Sequence, residues 1–437
     1  MKIPQFLQLL KKELMIAMGC TEPAAAALAG AKARELLQEP LLRLEIQSSR
    51  DMMKNAMGVG LPNCSLRGIQ AAVALGAAGG DVSLGLGILS EISDQQKEMA
   101  IQLAAEGKIA LTLVEGVPPV YISVTTYGAQ HVGQAVVSGE HTRFSKLRLD
   151  NTILSELPLV STTAEEEADE NLSTEMIANL SLEEIAGAVS KIDPREFEFV
   201  LSGAQTNFEM AKHGMSNGYG LSVGKVMGEG LPEEPQTLRD AYTLGAVYAA
   251  AASDARMAGC PLPVVINSGS GNQGITVSVP LLVMGTYLKV EENNLIRALC
   301  LSHLVALVLT AKKDRLSALC GAFTAAIGTA CGLVYLQGGS IEAMDRSVNN
   351  MVGNLTGIIC DGAKGTCALK IYSSVEAAGV STKLALRGFS PSDESGIVGE
   401  DALQSFAYLT QISSEGMEQT DRTILAIMMG KQEICNR

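Results

Sequence analysis

The chain has no tryptophan, and aromatic residues fill only 4% of its 437 positions. Basic residues are also scarce, since 33 Lys and Arg stand against 47 Asp and Glu, a formal net charge of −14. Nucleic-acid backbones and anionic membranes need a basic face, and no basic run is present, so we expect neither as a partner. The abundance of small residues, among them 44 glycines, predicts helices that pack closely on Ala and Gly.

A secretory signal peptide is not evident, because Met1–Gln5 leads to Lys11 and Lys12 without an apolar core. Nine cysteines are far too few for a disulfide scaffold of this length. We therefore expect a cytoplasmic protein whose thiols stay reduced. In that setting a cysteine cluster is more often metal-binding or catalytic than disulfide-bonded.

One uncharged stretch, residues 316–341, is long enough to span a bilayer. About half of it is Ala, Gly, Ser and Thr, and no aromatic belt flanks it. We expect a buried central helix of a large helical domain, and no membrane partner.

The first part of the chain mixes helical and strand periodicity. Helical spacing runs through residues 5–38 with a break at 19–23, where Thr21 is the predicted helix cap. Further helices are predicted at 66–75 and 94–106, and residues 51–64 resemble a Gly- and Asn-rich loop. Alternating runs joined by short turns predict strands at 42–47, 109–114, 120–126, 130–137 and 144–149.

These patterns predict an α+β fold in two domains. Residues 1–160 form an α+β domain with a mostly antiparallel sheet, and residues 176–437 form a large, mostly α-helical domain that binds any metal cluster. The acidic residues 161–175 between them predict a solvated linker, although an acidic docking segment has the same composition.

Residues 269–274 satisfy the G-x-G-x-x-G pattern, but the context argues against a dinucleotide site. Ser278–Pro280 should interrupt the helix that such a site needs, and the surroundings are helical rather than βαβ. Ser268, Ser270 and Asn272 instead place polar groups before a helix start, which suits a carboxylate or another small anion. A simple helix cap explains the same residues.

Cys360 and Cys367 lie seven residues apart in a segment where Gly362 and Gly365 let the backbone curl. Two thiols do not complete a metal site, so a third must come from elsewhere. Cys320 and Cys331 are candidates, and their separation along a helix allows only one of them to reach a given centre. The residues alone leave zinc and an iron–sulfur cluster both open.

Two other cysteines have distinctive positions. Cys20 lies at a break between helices, where a following helix N-terminus would lower its pKa, although a thiol that only packs in the core is the simpler reading. Cys435 lies near the end of the chain, where it could cap an open metal site or have no role.

Four segments together carry a family resemblance. They are Gly19-Cys20-Thr21-Glu22-Pro23, Ser268-Gly-Ser-Gly-Asn-Gln-Gly274, Cys320-Gly321 and Cys360-Asp-Gly-Ala-Lys-Gly-Thr-Cys367-Ala-Leu-Lys370. In this order they resemble the iron–sulfur L-cysteine desulfidase family, which is related to the alpha portion of bacterial iron–sulfur L-serine dehydratases. The resemblance extends over nearly the whole chain.

The resemblance implies a [4Fe–4S] cluster held by three cysteines, with one iron open to substrate. In the related dehydratases a ligand cysteine precedes the Cys-Asp segment by about forty residues, which selects Cys320, Cys360 and Cys367 rather than Cys331. The implied reaction is α,β-elimination from a small L-amino acid, releasing sulfide, ammonia and pyruvate.

Within that reaction Cys20 is the candidate base, and Ser268, Ser270 and Asn272 are candidates for the substrate carboxylate. Lys54 and Asn55 belong to a further segment that resembles the family, with a less defined role in substrate binding.

The alternatives are an L-serine dehydratase with the same cluster and a non-catalytic metal-binding sensor. The spacing of seven between the last two ligands, and the lack of a Ser- and His-rich segment, favour the desulfidase branch over the dehydratase. The sequence leaves open whether the protein forms a homo-oligomer.

Overall fold

A computed structural model describes residues 2–62, 64, 66–159, 174–313 and 317–435. Its α-helices are α1 (Ile3–Glu13), α2 (Thr21–Leu37), α3 (Arg50–Ala56), α4 (Gly68–Ala77), α5 (Asp94–Ala105), α6 (Thr174–Ala178), α7 (Leu182–Val189), α8 (Glu198–Ser216), α9 (Val223–Met227), α10 (Leu238–Met257), α11 (Gly271–Leu288), α12 (Glu292–Lys313), α13 (Gly321–Leu336), α14 (Ile341–Leu355), α15 (Cys367–Ala385), α16 (Ala402–Gln411) and α17 (Glu418–Cys435).

The strands are β1 (Ile16–Met18), β2 (Arg43–Ser48), β3 (Ile109–Leu113), β4 (Tyr121–Tyr127), β5 (Val132–Ser138), β6 (Phe144–Leu149), β7 (Thr152–Glu156) and β8 (Pro263–Val265). Short 3₁₀ helices cover Val82–Gly87 and Pro194–Phe197, and a π-helix covers Ile412–Gly416.

The predicted α+β class is confirmed. A six-stranded sheet has the order β3-β2-β4-β5-β6-β7, in which only the β2–β3 pair is parallel. Each of the five predicted strands is present with small shifts in its ends. Strand β7 was missed because every one of its residues is exposed, so it lacks the alternation that marks a half-buried strand.

Small residues bring α2 and α4 into close contact beside this sheet. A Cβ atom at Gly76 would lie 2.0 Å from the carbonyl oxygen of Ala27, and one at Gly30 would lie 2.5 Å from that of Val73. The two backbones can approach this closely only because neither glycine carries a side chain. The expected packing of helices on Ala and Gly is confirmed here.

A second core lies among the C-terminal helices and includes α1. Phe6, Leu9 and Leu10 of α1 are buried in it, so the first helix packs on the helical part of the chain. Strand β1 also pairs with β8, which further joins the two parts. The predicted domain limits of 1–160 and 176–437 stay a prediction, and most of the predicted acidic linker, 161–175, lies outside the described residues.

In the described part of the chain, one helix (residues 292–312) is long and apolar enough to cross a membrane, and 78% of its most apolar window is buried inside the protein. Such burial is typical of a core helix. The uncharged stretch 316–341 contains α13, which is almost entirely buried and ends before Gly338, where φ is +72°.

The predicted interruption at Ser278–Pro280 is wrong, because α11 continues through Pro280. Proline removes the backbone N–H that would bond to the carbonyl of Thr276. The hydroxyl of Thr329 donates to that carbonyl at 2.7 Å and takes the place of the missing bond. A neighbouring helix therefore satisfies the group that proline leaves free.

Two other local predictions need correction. Cys20, not Thr21, is the N-cap of α2, since the Thr21 hydroxyl donates instead to the carbonyl of Gly269 at 2.8 Å. The expected loop at 51–64 begins with α3, whose N-cap Ser49 accepts a bond from the Met52 amide.

Substitution of Gly76 by alanine tests the contact between α2 and α4. We expect Gly76→Ala to lower the free energy of unfolding by about 3 kcal/mol or more, because the new methyl group overlaps backbone atoms. Urea denaturation followed by circular dichroism measures this change.

Gly187→Ala in α7 is the matched control, since a Cβ there meets nothing within 4 Å. It should raise the free energy of unfolding by about 0.5–1 kcal/mol through the better helix propensity of alanine. Equal effects of the two substitutions would contradict the close approach of α2 and α4.

Candidate active site

Four helix N-termini meet at one partly enclosed cavity of about 100 Å³. Helices α2, α11, α13 and α15 begin at Thr21, Gly271, Gly321 and Cys367, and residues from the first turn of each line the cavity. The cavity is lined by Cys20, Thr21, Glu22, Asn55, Arg256, Ser270, Asn272, Gln273, Ser317, Leu319, Cys320, Gly321, Ala322, Cys360, Gly362, Ala363, Cys367 and Lys370.

The N-terminus of a helix carries a partial positive charge and free backbone N–H groups. Four such ends directed at one space favour an anion there more strongly than a single helix could. The cavity is therefore suited to negatively charged groups, whether thiolates, a metal cluster that they hold, or a carboxylate.

The three predicted metal ligands, Cys320, Cys360 and Cys367, all line this cavity. Backbone bonds fix the first two, because the Cys320 amide donates to the carbonyl of Ile358 at 3.1 Å and the Cys360 amide donates to that of Ala318 at 2.6 Å. Cys367 is the first residue of α15. All eight cysteines that the structure describes are free thiols.

Glycine is required in the bend between Cys360 and Cys367. Gly362 has φ of +93°, and a Cβ atom there would lie 2.2 Å from the carbonyl oxygen of Lys54. The bend is also held by the amide of Ala363, which donates to the carbonyl of Asn55 at 3.3 Å. Helix α3 thus supports the loop that carries two of the thiols.

The other candidate for the third ligand, Cys331, points elsewhere. Its sulfur lies 3.9 Å from the hydroxyl of Ser347, in the packed interior of α13 and α14, and it does not line the cavity. The structure therefore brings Cys320 and not Cys331 to the other two thiols.

The electrostatics of the thiols suit a metal centre. Burial, with smaller effects from Cys360 and Cys367, raises the pKa of the Cys320 thiol to about 12. Burial likewise raises the pKa of Cys367 to about 11. Thiolates this close together in a buried space repel each other unless a cation neutralises them, and metal binding provides that cation as the protons leave.

No three His, Cys, Asp or Glu side chains in the described ranges are arranged to hold one metal ion. Three thiolates on a single tetrahedral zinc would need sulfurs about 4 Å apart. A polynuclear cluster binds its ligands through different metal atoms, so it accepts thiols that are farther apart. Three cysteine thiols at one cavity are a donor set that fits an iron–sulfur cluster.

Lys370 adds a positive charge at the cavity wall. Its ammonium group donates to the carbonyl of Ile359 at 3.0 Å and pairs with the carboxylate of Asp361, which also accepts from Lys364 at 3.1 Å. These bonds hold the charged side chain beside the thiols of Cys360 and Cys367. Lys370 was part of the recognised sequence segment but was not predicted as a site residue.

Cys20 lies in the same cavity and packs against Cys367, Val59 and Met257. The predicted lowering of its pKa by the start of α2 is wrong. Burial raises the pKa of the Cys20 thiol to about 11, and the Arg256 guanidinium lowers it by less than burial raises it. Desolvation therefore outweighs the helix dipole at this position.

The predicted substrate residues divide into two groups. Ser270, Asn272 and Asn55 line the cavity. Ser268 does not line it, because its backbone has φ of +54° and its hydroxyl donates to the side chain of Asn267 at 2.8 Å. Lys54 does not line it either.

The side chain of Lys54 is only 1% exposed and forms a buried ion pair with Asp421 of α17. This pair ties the last helix to α3, directly behind the bend at Gly362. Ser268 and Lys54 therefore support the cavity from outside it. The side chain of Cys435 lies outside the described residues.

The prediction missed Arg256 and Gln273, and it included Glu22 only within a motif. Arg256 is 3% exposed, and its Nε donates to the carbonyl of Gly19 at 3.1 Å. A Cβ atom at Gly271 would lie 2.4 Å from that Nε, so glycine makes room for the guanidinium. Arg256 follows a mostly small and apolar run, residues 244–253 of α10, and no motif in the sequence marks it.

Comparison with known proteins identifies relatives along the whole chain. Residues 85–426 match the family model described as the serine dehydratase alpha chain. A UPF0597 protein of Oleidesulfovibrio alaskensis is 39% identical over 428 residues, which cover 98% of each chain.

UPF0597 proteins of Parabacteroides distasonis and Bacteroides thetaiotaomicron are 36% identical over 430 residues and 38% identical over 428 residues, again covering 98% of each chain. The predicted relation to the alpha portion of serine dehydratases is confirmed. With a family match over most of its length and full-length relatives at this identity, the chain belongs to the serine dehydratase alpha chain family.

Proposed function

We propose that the protein is a lyase that converts L-cysteine and water into pyruvate, ammonia and sulfide with the help of a [4Fe–4S] cluster. The observation that carries the proposal is the meeting of Cys320, Cys360, Cys367 and Cys20 in one cavity at four helix N-termini. Membership of the serine dehydratase alpha chain family supports the lyase class.

Cys320, Cys360 and Cys367 would hold the cluster. When bound, it supplies a Lewis acid at an iron that has no protein ligand, which polarises the bond between Cβ and the leaving group. The helix N-termini and the ammonium group of Lys370 offset the negative charge that three thiolates bring into the cavity.

The chain itself supplies the base and the binding groups. Cys20, once deprotonated, takes the proton from Cα, and the electron pair of that C–H bond forms the Cα–Cβ double bond as the Cβ–S bond breaks. The sulfur leaves as sulfide, and the released 2-aminoacrylate tautomerises and is hydrolysed to pyruvate and ammonia. Burial raises the pKa of the Cys20 thiol, which makes its thiolate a stronger base for the weakly acidic Cα proton, and the Arg256 guanidinium favours the ionised form.

Ser270 and Asn272 lie where the substrate carboxylate can meet the first turn of α11. The side chain of Asn272 accepts from the hydroxyl of Ser253 at 3.3 Å, and its amide nitrogen donates to the sulfur of Met257 at 3.6 Å, so both ends of the amide are held. A preoriented amide and free backbone N–H groups form an anion site at a helix start.

L-Serine dehydration is the second candidate, because the matching family is described by that activity. The elimination is the same, with hydroxide as the leaving group in place of sulfide. Anaerobic turnover of L-cysteine and L-serine by the same preparation, compared as kcat/KM, tests the proposal. A higher value for L-serine would replace the proposed activity with this one.

Substitution of the ligands tests the metal centre. Cys320→Ser, Cys360→Ser and Cys367→Ser should each lose most of the iron and acid-labile sulfide found in anaerobically purified protein, because a hydroxyl is a poor ligand for this metal. Elemental analysis and visible absorbance measure the loss.

Cys331→Ala is the matched control, since Cys331 is a buried thiol of the same helix that Cys320 caps but faces Ser347. It should keep its full iron content. If Cys331→Ala lost iron while Cys320→Ser kept it, the assigned ligand set would be wrong.

The role of Cys20 is tested by a substitution that should separate iron binding from turnover. Cys20→Ser should keep its iron and lower kcat by at least about 100-fold, because a serine hydroxyl is a much weaker base than a thiolate. Sulfide release and iron content, measured on the same preparation, show whether Cys20 acts in turnover or in iron binding. Near-normal turnover would remove Cys20 from the mechanism.

A further inference from the structure

Arg256 is a buried cation that forms no ion pair with any carboxylate in the described part of the chain. Its side chain lines the cavity from the end of α10. Only the Nε–Gly19 bond at 3.1 Å holds it, and within the described residues it forms no ion pair. A guanidinium presents several N–H donors in a planar fork, so the remaining donors are available to a ligand in the cavity.

Glu22 provides a negative charge in the same cavity. One carboxylate oxygen accepts from the side-chain amide of Asn55 at 3.2 Å, and the other lies 3.1 Å from the hydroxyl of Thr21. Neither of these neighbours is a cation. Glu22 forms no ion pair with any residue in the described part of the chain. Besides Lys370, which is paired with Asp361, the cavity thus holds the cation Arg256 and the anion Glu22, which are not paired with each other.

We propose that Arg256 binds the α-carboxylate and Glu22 binds the α-ammonium group of an amino-acid zwitterion, an inference that rests on the proposed function and names the groups that select its substrate. The two charges of an α-amino acid match the two charges of the cavity. A ligand with both charges neutralises both protein groups, whereas a ligand with one leaves the other buried and uncompensated.

The position of Cys20 between these groups fits the same arrangement. Arg256 is bonded to the residue before Cys20, and Glu22 follows it by two positions. In an amino acid, Cα lies between the carboxylate and the ammonium group. The charges of both Arg256 and Glu22 act on the Cys20 thiol, so a zwitterion bound by these two residues would lie close to that thiol.

The surroundings of Arg256 also favour a carboxylate. The guanidinium lies against Gly271 at the start of α11, next to Ser270 and Asn272. A carboxylate there would meet the guanidinium fork on one side and the N-terminus of a helix on the other, and both interactions favour an anion.

Two analogues that each lack one charge test the assignment. 3-Mercaptopropionate keeps the carboxylate and thiol of L-cysteine but has no ammonium group, and cysteamine keeps the ammonium group and thiol but has no carboxylate. Arg256→Met should weaken binding of 3-mercaptopropionate by about 10- to 100-fold and leave cysteamine unchanged. Glu22→Gln should weaken the binding of cysteamine and leave the binding of 3-mercaptopropionate unchanged. Anaerobic calorimetry on the protein as purified gives the dissociation constants.

Surface substitutions serve as controls. Arg195→Met and Glu35→Gln remove exposed charges of the same type, and Glu35 lies on the same helix as Glu22. Neither should change the binding of either analogue. Circular dichroism and iron content show whether each variant is folded.

If Arg256→Met fails to fold, Arg256→Lys replaces it, since a lysine keeps the charge but loses the fork. Arg256→Lys should weaken the binding of 3-mercaptopropionate by a smaller factor than Arg256→Met, and it should leave the binding of cysteamine unchanged. Equal weakening of both analogues by either Arg256 variant, or none, would overturn the assignment.

A failure of the zwitterion site can be distinguished from a failure of the proposed lyase activity. A protein that releases no sulfide from L-cysteine but shows the opposite selectivities of the two variants would refute the lyase and retain the zwitterion site. A protein with normal sulfide release and no such selectivity would retain the lyase and refute the assignment of Arg256 and Glu22.

Discussion

Four helix N-termini meet at one small cavity, and the rest of the site depends on this constraint. Buried thiols are reluctant to ionise, as the raised pKa values of Cys320 and Cys367 demonstrate. The same space nevertheless contains three candidate metal ligands and a set of anion-binding groups. Converging helix dipoles and the charges of Arg256 and Lys370 offset the cost of placing negative charge there.

Close backbone packing makes this convergence possible. A Cβ atom at Gly274 would lie 2.0 Å from the backbone carbonyl oxygen of Val265, and one at Gly321 would lie 3.0 Å from the side-chain amide nitrogen of Gln273. These glycines let α11 and α13 start next to the cavity wall. The Ala- and Gly-rich composition, with few aromatic residues, is therefore related to the geometry of the site as well as to the density of the core.

Sequence reasoning predicted the features that depend on local pattern or on recognised motifs. The strand positions followed from alternation, and the resemblance selected the three candidate ligand cysteines, which the structure places at one cavity. The continuation of α11 through Pro280 was not predictable, because it depends on a hydroxyl of Thr329 from another helix. The raised pKa of Cys20 was missed for a similar reason, since a local motif indicates a helix start but not the depth of burial. Arg256 carries no motif at all, and only the fold places it beside Gly19.

The site combines groups from two parts of the chain with different relationships to known proteins. The family match begins at residue 85, so it includes Arg256 and the three candidate cluster ligands but not Cys20, Glu22 or Asn55. The part shared with serine dehydratase alpha chains thus contains the proposed metal ligands and the carboxylate site. The groups proposed to act on the Cα proton and the ammonium come from the segment before it. The UPF0597 relatives cover 98% of the chain and therefore span both segments, as expected if the site needs groups from each.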